Sequence, residues 1–207
     1  MSTGLRERRQ QQARQAISAA AMALFTDKGF DEVTISQVAD AAGVSKMTVT
    51  NYFPRKEDLV FDRADAAIAS LADAVAARAP GESLHTPIRR DYAGRIAAGD
   101  VTLGPPTAAF ARLVLGSHVL TSRAREIEDL REQALGDAIA AETGQDDVQQ
   151  RIVAAQLASV HRVMFAEAAR RILAGQPRGE IRRALAAAAR QAFDLLQPSL
   201  GSYGIRA

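Results

Sequence analysis

The stretch that decides the fold is TISQVADAAGVSKMTVTNYF, residues 34–53. It contains two short runs of helix-compatible residues, separated by a turn that contains Gly43. Thr34, followed three residues later by Gln37, matches the capping box that begins a helix. Ser45 is a good N-cap for the second run. The stretch predicts a pair of helices at 34–43 and 45–52.

The spacing of small and apolar residues indicates how this pair packs. Ala39 lies four residues before Gly43, so a small side chain falls where the two helices approach most closely. This is the pattern of a helix-turn-helix, although an Ala and a Gly four apart also occur in ordinary three-helix bundles. The positions predicted to face inward are apolar: Val38, Ala42, Val44 and Val49.

The outward face of the second helix has a composition suited to DNA. Its side chains are mostly short hydrogen-bonding groups with one cation, and none is acidic. Such groups suit phosphates and base edges. The residues are Lys46, Met47, Thr48, Thr50, Asn51 and Tyr52.

Two longer stretches resemble the TetR family of regulators. Residues 43–59, GVSKMTVTNYFPRKEDL, look like the recognition-helix signature of that family. Residues 25–35 resemble the segment that leads into it, with Phe25 and Gly29 at matching positions. The resemblance covers about residues 10–60. It implies a DNA-binding transcriptional regulator, most often a repressor.

The resemblance also implies a role for individual residues. Thr34 and Lys56 would contact phosphate, and Asn51 and Tyr52 would hold the DNA backbone. The residues implied to lie in or beside the major groove are Ser45, Lys46, Met47, Thr48 and Thr50.

Three positions depart from the family pattern. Met47 stands where glycine is frequent, Thr50 where tyrosine is frequent, and Arg55 where serine is common. The first two change the reading face, so no operator sequence can be inferred from the family. Arg55 would add a phosphate contact.

The first 14 residues form a candidate basic arm. They carry four arginines and one acid, a net charge of +3, although the whole chain carries only +2. A basic arm before a DNA-binding helix suits phosphate or minor-groove contact. A solvated, frayed terminus explains the same charges. The residues are Arg6, Arg8, Arg9 and Arg14, with Glu7 as the acid.

Apolar periodicity predicts an all-α chain of about nine helices. We expect an N-terminal DNA-binding domain at 1–55, a helical effector-binding and dimerisation domain at 56–197, and a disordered tail at 198–207. The predicted helices are 6–28, 34–43, 45–52, 56–78, 87–98, 107–118, 122–142, 147–173 and 179–196. The last two each have an apolar stripe predicted to face the core, formed by Val153, Leu157, Val160, Met164, Ala168 and Ile172, and by Ile181, Leu185, Ala188, Ala192 and Leu195.

Composition argues against several other classes of protein. The 207 residues are 47% hydrophobic and 24% charged, and the absence of cysteine excludes disulfides and thiol chemistry. Three histidines far apart in sequence argue against a metal site. We expect no catalytic residues, no cofactor, no membrane association and a cytoplasmic location.

The resemblance implies a homodimer that pairs through the last two helices, 147–173 and 179–196. Ile152, Ser159 and Val163 would give the first of these helices a second apolar or small face. Two modules related by a two-fold axis would read half-sites about 34–36 Å apart, hence a palindromic operator.

The resemblance also implies a small-molecule effector, enclosed by the helices between 56 and 173 and acting through a tilt of the 56–78 helix. For each candidate lining residue an ordinary core or surface role is the alternative. The candidates are Phe61, Tyr92, Phe110, His118 and His161.

The sequence is also compatible with other functions. Within the same class, the chain could be an activator or a regulator that needs no ligand. Outside it, an all-helical enzyme or a helical interaction protein is the alternative, although no cluster of acid, base or metal-ligating groups is visible in the sequence.

Overall fold

The computed structural model describes residues 3–100, 103–144 and 147–206. Within these ranges the chain forms nine α-helices and no β-strand, which confirms the predicted fold class. A 3₁₀ turn at Lys56–Leu59 precedes the fourth helix. The helices are α1 Thr3–Lys28, α2 Ile35–Ala42, α3 Lys46–Tyr52, α4 Ala64–Ala76, α5 His85–Ala98, α6 Ala108–Gly116, α7 His118–Thr143, α8 Val148–Leu173 and α9 Arg178–Leu200.

Local signals define the ends of α2 as the sequence predicts. The Gln37 amide N–H donates to the Thr34 hydroxyl at 3.3 Å, and the Thr34 amide N–H donates to Gln37 Oε1 at 2.8 Å, which completes the capping box. Gly43 ends the helix in the left-handed conformation, with φ of 66°. The Val44 amide N–H then reaches the Ala39 carbonyl at 3.0 Å, so the chain turns within two residues.

Two compact units make up the chain. The first unit comprises the residues up to Ala64 together with Arg112–Arg123, and the second comprises Asp65–Ala111 and the residues from Ala124 onward. The predicted boundary at 55 and 56 therefore differs from this division, because the 3₁₀ turn packs with the first unit through its buried Leu59.

The core of the first unit includes α1, α2 and α3. The predicted inward residues Val38 and Val49 are fully buried and Ala39 is 2% exposed, whereas Ala42 and Val44 are only half-buried. Fully burying a valine side chain contributes about 1.5–3 kcal/mol. The remaining buried apolar residues of the three helices and their connections are Ile17, Ala21, Phe25, Phe30, Val33 and Phe53.

The single helix predicted at 56–78 is wrong, since a 3₁₀ turn and α4 occupy this range. Carbonyl groups that a continuous helix would use accept hydrogen bonds from α1 instead. The Ser18 hydroxyl donates to the Leu59 carbonyl at 3.3 Å, and Arg14 donates to the Asp62 carbonyl at 3.0 Å. These bonds hold residues 59–62 out of helical register.

The disordered tail predicted at 198–207 is also corrected over its described residues. Helix α9 continues through Pro198 to Leu200, which is 3% exposed. Beyond it, residues 203–206 are hydrogen-bonded to the connection between α4 and α5. The Gly81 amide donates to the Arg206 carbonyl at 2.9 Å, and the Leu84 amide donates to the Tyr203 carbonyl at 3.1 Å.

The core of the second unit draws on α4, α5, α7, α8 and α9. On α8 the predicted stripe is buried at Val153, Leu157, Val160, Met164 and Ala168. On α9 the buried stripe continues through Ala189 and Phe193 to Leu200, whereas the predicted core residue Leu195 is 80% exposed. In the second half of α9, the residues that face the core therefore lie one position after the predicted residues Ala188 and Ala192.

We expect Gly43→Ala to lower the free energy of unfolding by about 1–2 kcal/mol, because a Cβ is strained at positive φ. The matched control is Gly94→Ala, an exposed position inside α5 with open space around the added Cβ. That variant should be more stable by about 0.5–1 kcal/mol. Urea unfolding followed by circular dichroism measures both, and equal effects of the two variants would contradict this account of the turn.

Candidate nucleic-acid interface

The exposed face of α3 is the candidate nucleic-acid interface. Val49 is fully buried and fixes the orientation of the helix. Three side chains of α3 are exposed, those of Lys46, Thr50 and Asn51, and Met47 is 69% exposed. Of the remaining predicted contacts, Thr34 and Ser45 are exposed, and Thr48 and Tyr52 are half-buried.

Several hydroxyl groups of this face are engaged within the helix itself. Ser45 Oγ accepts the Thr48 amide N–H at 3.0 Å and lies 2.8 Å from the Thr48 hydroxyl. Thr50 Oγ1 donates its only proton to the carbonyl of Met47, at 3.1 Å, or Lys46, at 3.3 Å. The face therefore offers fewer free hydrogen-bond donors than its sequence suggests.

Arg14 differs from its predicted place in a basic arm. Helix α1 begins at Thr3, so Arg8, Arg9 and Arg14 all lie on a helix. Arg14 donates to the Tyr52 carbonyl at 3.0 Å and to the Asp62 carbonyl, and its guanidinium lies 4.6 Å from the Phe53 ring centroid. It connects α1 to the end of α3. The side chains of Arg6 and Glu7 lie outside the described residues.

Lys56 also has partners within the first unit. Its ammonium lies 4.4 Å from the centroid of the Phe30 ring and donates to the Asp31 carbonyl at 3.4 Å. Burial lowers the pKa of Lys56, while the charges of Asp31 and other nearby acids oppose the shift. The half-buried cation is thus held against an aromatic ring, and it would have to leave that contact to reach a phosphate.

The five candidate effector-binding residues are divided between the two units. Phe61 and His118 belong to the first unit, where Phe61 is half-buried and His118 is exposed at the start of α7. Tyr92, Phe110 and His161 belong to the second unit. Tyr92 and His161 come together, with ring centroids 6.2 Å apart in an edge-to-face arrangement.

Tyr92 and His161 lie beside two charged residues of α7 that the sequence analysis did not single out. Arg131, 3% exposed, donates from Nε to the Ala67 carbonyl at 2.8 Å, and its Nη1 contacts Glu128 Oε1 at 2.5 Å. The only sequence signal was the spacing of three between Glu128 and Arg131, which places the pair on one helix face.

The protonation states in this cluster follow from its geometry. Arg131 Nη1 lies 2.7 Å from His161 Nδ1, and because the guanidinium can only donate, Nδ1 must accept and the ring is neutral. Burial lowers the pKa of His161, the Glu128 carboxylate 3.4 Å away opposes this shift, and the positive charge of Arg131 adds to it. Burial raises the pKa of Tyr92, so its hydroxyl stays protonated. That hydroxyl is buried with no hydrogen-bond partner among the described residues.

A cavity of about 630 Å³ lies elsewhere in the second unit. Its walls come from the end of α5, the segment 103–108, the end of α8 and the start of α9. None of the five candidate effector residues lines it. The apolar residues of its wall are Ile96, Leu103, Pro105, Pro106, Ala108, Ala168, Ile172, Ile181 and Leu185.

Two other features, a metal site and a membrane-spanning helix, are absent from the described residues. No group of three or more His, Asp or Glu side chains there is placed to hold a metal ion. No helix in that part of the chain combines the length and the apolar character needed to cross a membrane.

These features define a helix-turn-helix with an exposed second helix, and comparison with known proteins identifies the family of this segment. The family described as bacterial regulatory proteins, tetR family, matches residues 17–62. The match contains α2, α3 and the 3₁₀ turn. Residues 17–62 therefore form a DNA-binding domain of the TetR family.

Individual relatives agree with this assignment. The regulator TcmR of Streptomyces glaucescens is 27% identical over 175 residues, which are 79% of this chain and 76% of TcmR. RutR of Escherichia coli K12 is 41% identical over 58 residues, 28% of this chain and 27% of RutR. Both are named HTH-type transcriptional regulators. The similarity to RutR is thus confined to about a quarter of each chain.

The fold is similar to that of solved regulators over nearly the whole chain. NalD of Pseudomonas aeruginosa, described as the secondary repressor of the MexAB-OprM multidrug efflux pump, superimposes with a TM-score of 0.56. The superposition covers 93% of this chain and 98% of NalD at 15% identity. At that identity the likeness concerns the fold.

Proposed function

We propose that this regulator binds a palindromic operator as a homodimer, represses transcription there, and is released by a small molecule. The observation that carries the proposal is the exposed, acid-free face of α3 inside a family-matched helix-turn-helix. The description of NalD as a repressor supports repression over activation. An operator on chromosomal DNA would place the protein in the cytoplasm.

Within this proposal, the exposed residues of α3 have the base-reading role. Lys46 and Met47 begin the helix, and residues at the start of a recognition helix contact base edges. Ser45, Thr48 and Thr50 would stand beside the groove, and Asn51 and Tyr52 would contact the backbone. Thr34 would contact phosphate, as would Lys56 after leaving the Phe30 ring.

Charge reversal at Lys46 tests the interface. Lys46→Glu replaces an exposed cation with an anion, so operator affinity should fall by about 1–3 kcal/mol per half-site. The slope of log affinity against log salt should become shallower by roughly one per subunit. Fluorescence anisotropy over a salt series with a selected operator measures both.

The control for this test is Arg125→Glu, the same reversal at an exposed residue of the second unit. It should leave operator affinity unchanged. If Lys46→Glu binds the operator as tightly as the unaltered protein does, α3 is not the reading element.

The proposed dimer rests on apolar side chains that α8 and α9 leave exposed. Helix α8 buries one stripe in the core and exposes Val148, Ile152 and Val163, at 64, 53 and 57%. At 100° per residue these three fall within about 60° of one another, on a face different from the buried stripe. Ser159 on the same helix is half-buried, and Leu195 on α9 is 80% exposed. Exposed apolar side chains that cluster on one face indicate a contact surface, whereas single scattered ones do not.

A charge placed on this surface should separate the subunits. Val163→Glu and Leu195→Glu should each weaken dimerisation by roughly a hundredfold or more, since an unpaired charge buried at an interface costs about 3 kcal/mol or more. Sedimentation velocity over a concentration series gives the oligomeric state. Val119→Glu, at a 45% exposed position of the first unit, is the matched control and should stay dimeric. Dimers that persist in both test variants would refute this interface.

The proposed effector-binding residues are Tyr92 and His161. The buried Tyr92 hydroxyl has a proton and no partner among the described residues, which is costly unless a ligand accepts it. His161 and Arg131 are hydrogen-bonded to each other beside it, so the cluster combines apolar walls with a few fixed polar groups. The 630 Å³ cavity is also of a size that ligands occupy, and it lies in the same unit.

Compounds that release the operator in a screen should lose potency about tenfold in Tyr92→Phe, because one hydrogen bond to the ligand is removed. Tyr203→Phe removes the hydroxyl of a half-buried tyrosine in the same unit and is the control. Operator-release curves for the two variants provide the comparison. Equal potency in both would show that the effector does not bind at Tyr92.

A further inference from the structure

The second residue of α3 is a methionine whose side chain is largely unburied. Met47 is 69% exposed, next to Lys46, and it contributes nothing to the core of the first unit. In a helix, residues three and four apart share a face. Met47 therefore shares its face with Thr50 and Asn51, both of which are exposed.

Thr50 adds apolar surface to this face because its hydroxyl is engaged. Thr50 Oγ1 donates its proton to the backbone one turn earlier, at Met47 or Lys46. It can offer DNA only lone pairs and its γ-methyl group. Together, the Met47 side chain and the Thr50 methyl form a small apolar patch beside the cation of Lys46.

The chemistry of this patch restricts what it can recognise. A thioether sulfur is only a weak acceptor, so Met47 cannot supply the paired hydrogen bonds that read guanine or adenine. Among the base edges in the major groove, the one apolar group is the C5-methyl of thymine. A patch without donors thus complements a T·A pair better than any other pair.

We propose that Met47, together with the methyl group of Thr50, reads the C5-methyl group of one thymine in each operator half-site. This rests on the proposed function, since it requires that α3 enters the major groove. It makes Met47 a specificity-determining residue, and it fixes one base pair of an operator whose sequence the family does not supply.

The test begins with duplexes selected from random DNA by the unaltered full-length protein and by Met47→Ala. The unaltered protein should select a thymine at one fixed position of each half-site, and Met47→Ala should lose that preference. Each thymine of the selected site is then replaced singly by deoxyuridine, which pairs identically but has no methyl group.

At the thymine that faces Met47, deoxyuridine should weaken binding by about fourfold per half-site, the value for one buried methyl group. Met47→Ala should bind the two duplexes equally, so the effects of the protein change and the base change are not additive. Met47→Leu, an apolar side chain of similar volume, should keep sensitivity to the methyl group. Because position 47 is exposed, these variants should unfold at the same temperature as the unaltered protein.

The outcomes separate this inference from the proposed function. If the unaltered protein selects a defined site but no thymine in it couples to Met47, the inference is wrong and operator binding stands. If the protein enriches no sequence at all, the proposed function fails and the inference fails with it. Equal deoxyuridine sensitivity in Met47→Ala and the unaltered protein would also overturn the role of Met47.

Discussion

Helix α3 has only seven residues, and a helix of that length is not stable alone in water, because too few hydrogen bonds offset the cost of its first turn. Its geometry therefore depends on what holds it. Val49 is buried beneath it, and at its far end the Arg14 guanidinium bonds the Tyr52 carbonyl and lies over the Phe53 ring. The direction in which Lys46 and Met47 project is thus set by an arginine of α1.

The helix-turn-helix could be predicted from the sequence because its determinants are local. The capping residues form hydrogen bonds with backbone groups only three or four residues away, so their spacing alone specifies where each helix begins and ends. These residues are Thr34, Gln37, Gly43 and Ser45. The buried stripe on α8 could also be predicted, because it follows from the spacing of apolar residues along that one helix. A signature through residue 59 then added the family, which periodicity could not supply.

Other features depend on contacts between distant residues, and the sequence does not show these. Arg14 and Lys56 were counted as charges available to DNA, yet their partners are the carbonyls of Tyr52 and Asp62 and the ring of Phe30. The same bonds to residues 59–62 divide the helix that periodicity extended over 56–78. Likewise, apolar spacing does not say which of two neighbouring stripes on α9 faces the core, so Leu195 was misplaced.

The hydrogen bonds between residues 81–84 and 203–206 have a consequence for the order of folding. They close a loop of more than a hundred residues, and such a contact forms only after both partners exist. On the ribosome the chain emerges N-terminus first. The first unit has all its residues once Arg123 is out, whereas the second unit waits for Arg206. The first unit, which contains the helix-turn-helix, can therefore fold while the second unit is still being synthesised.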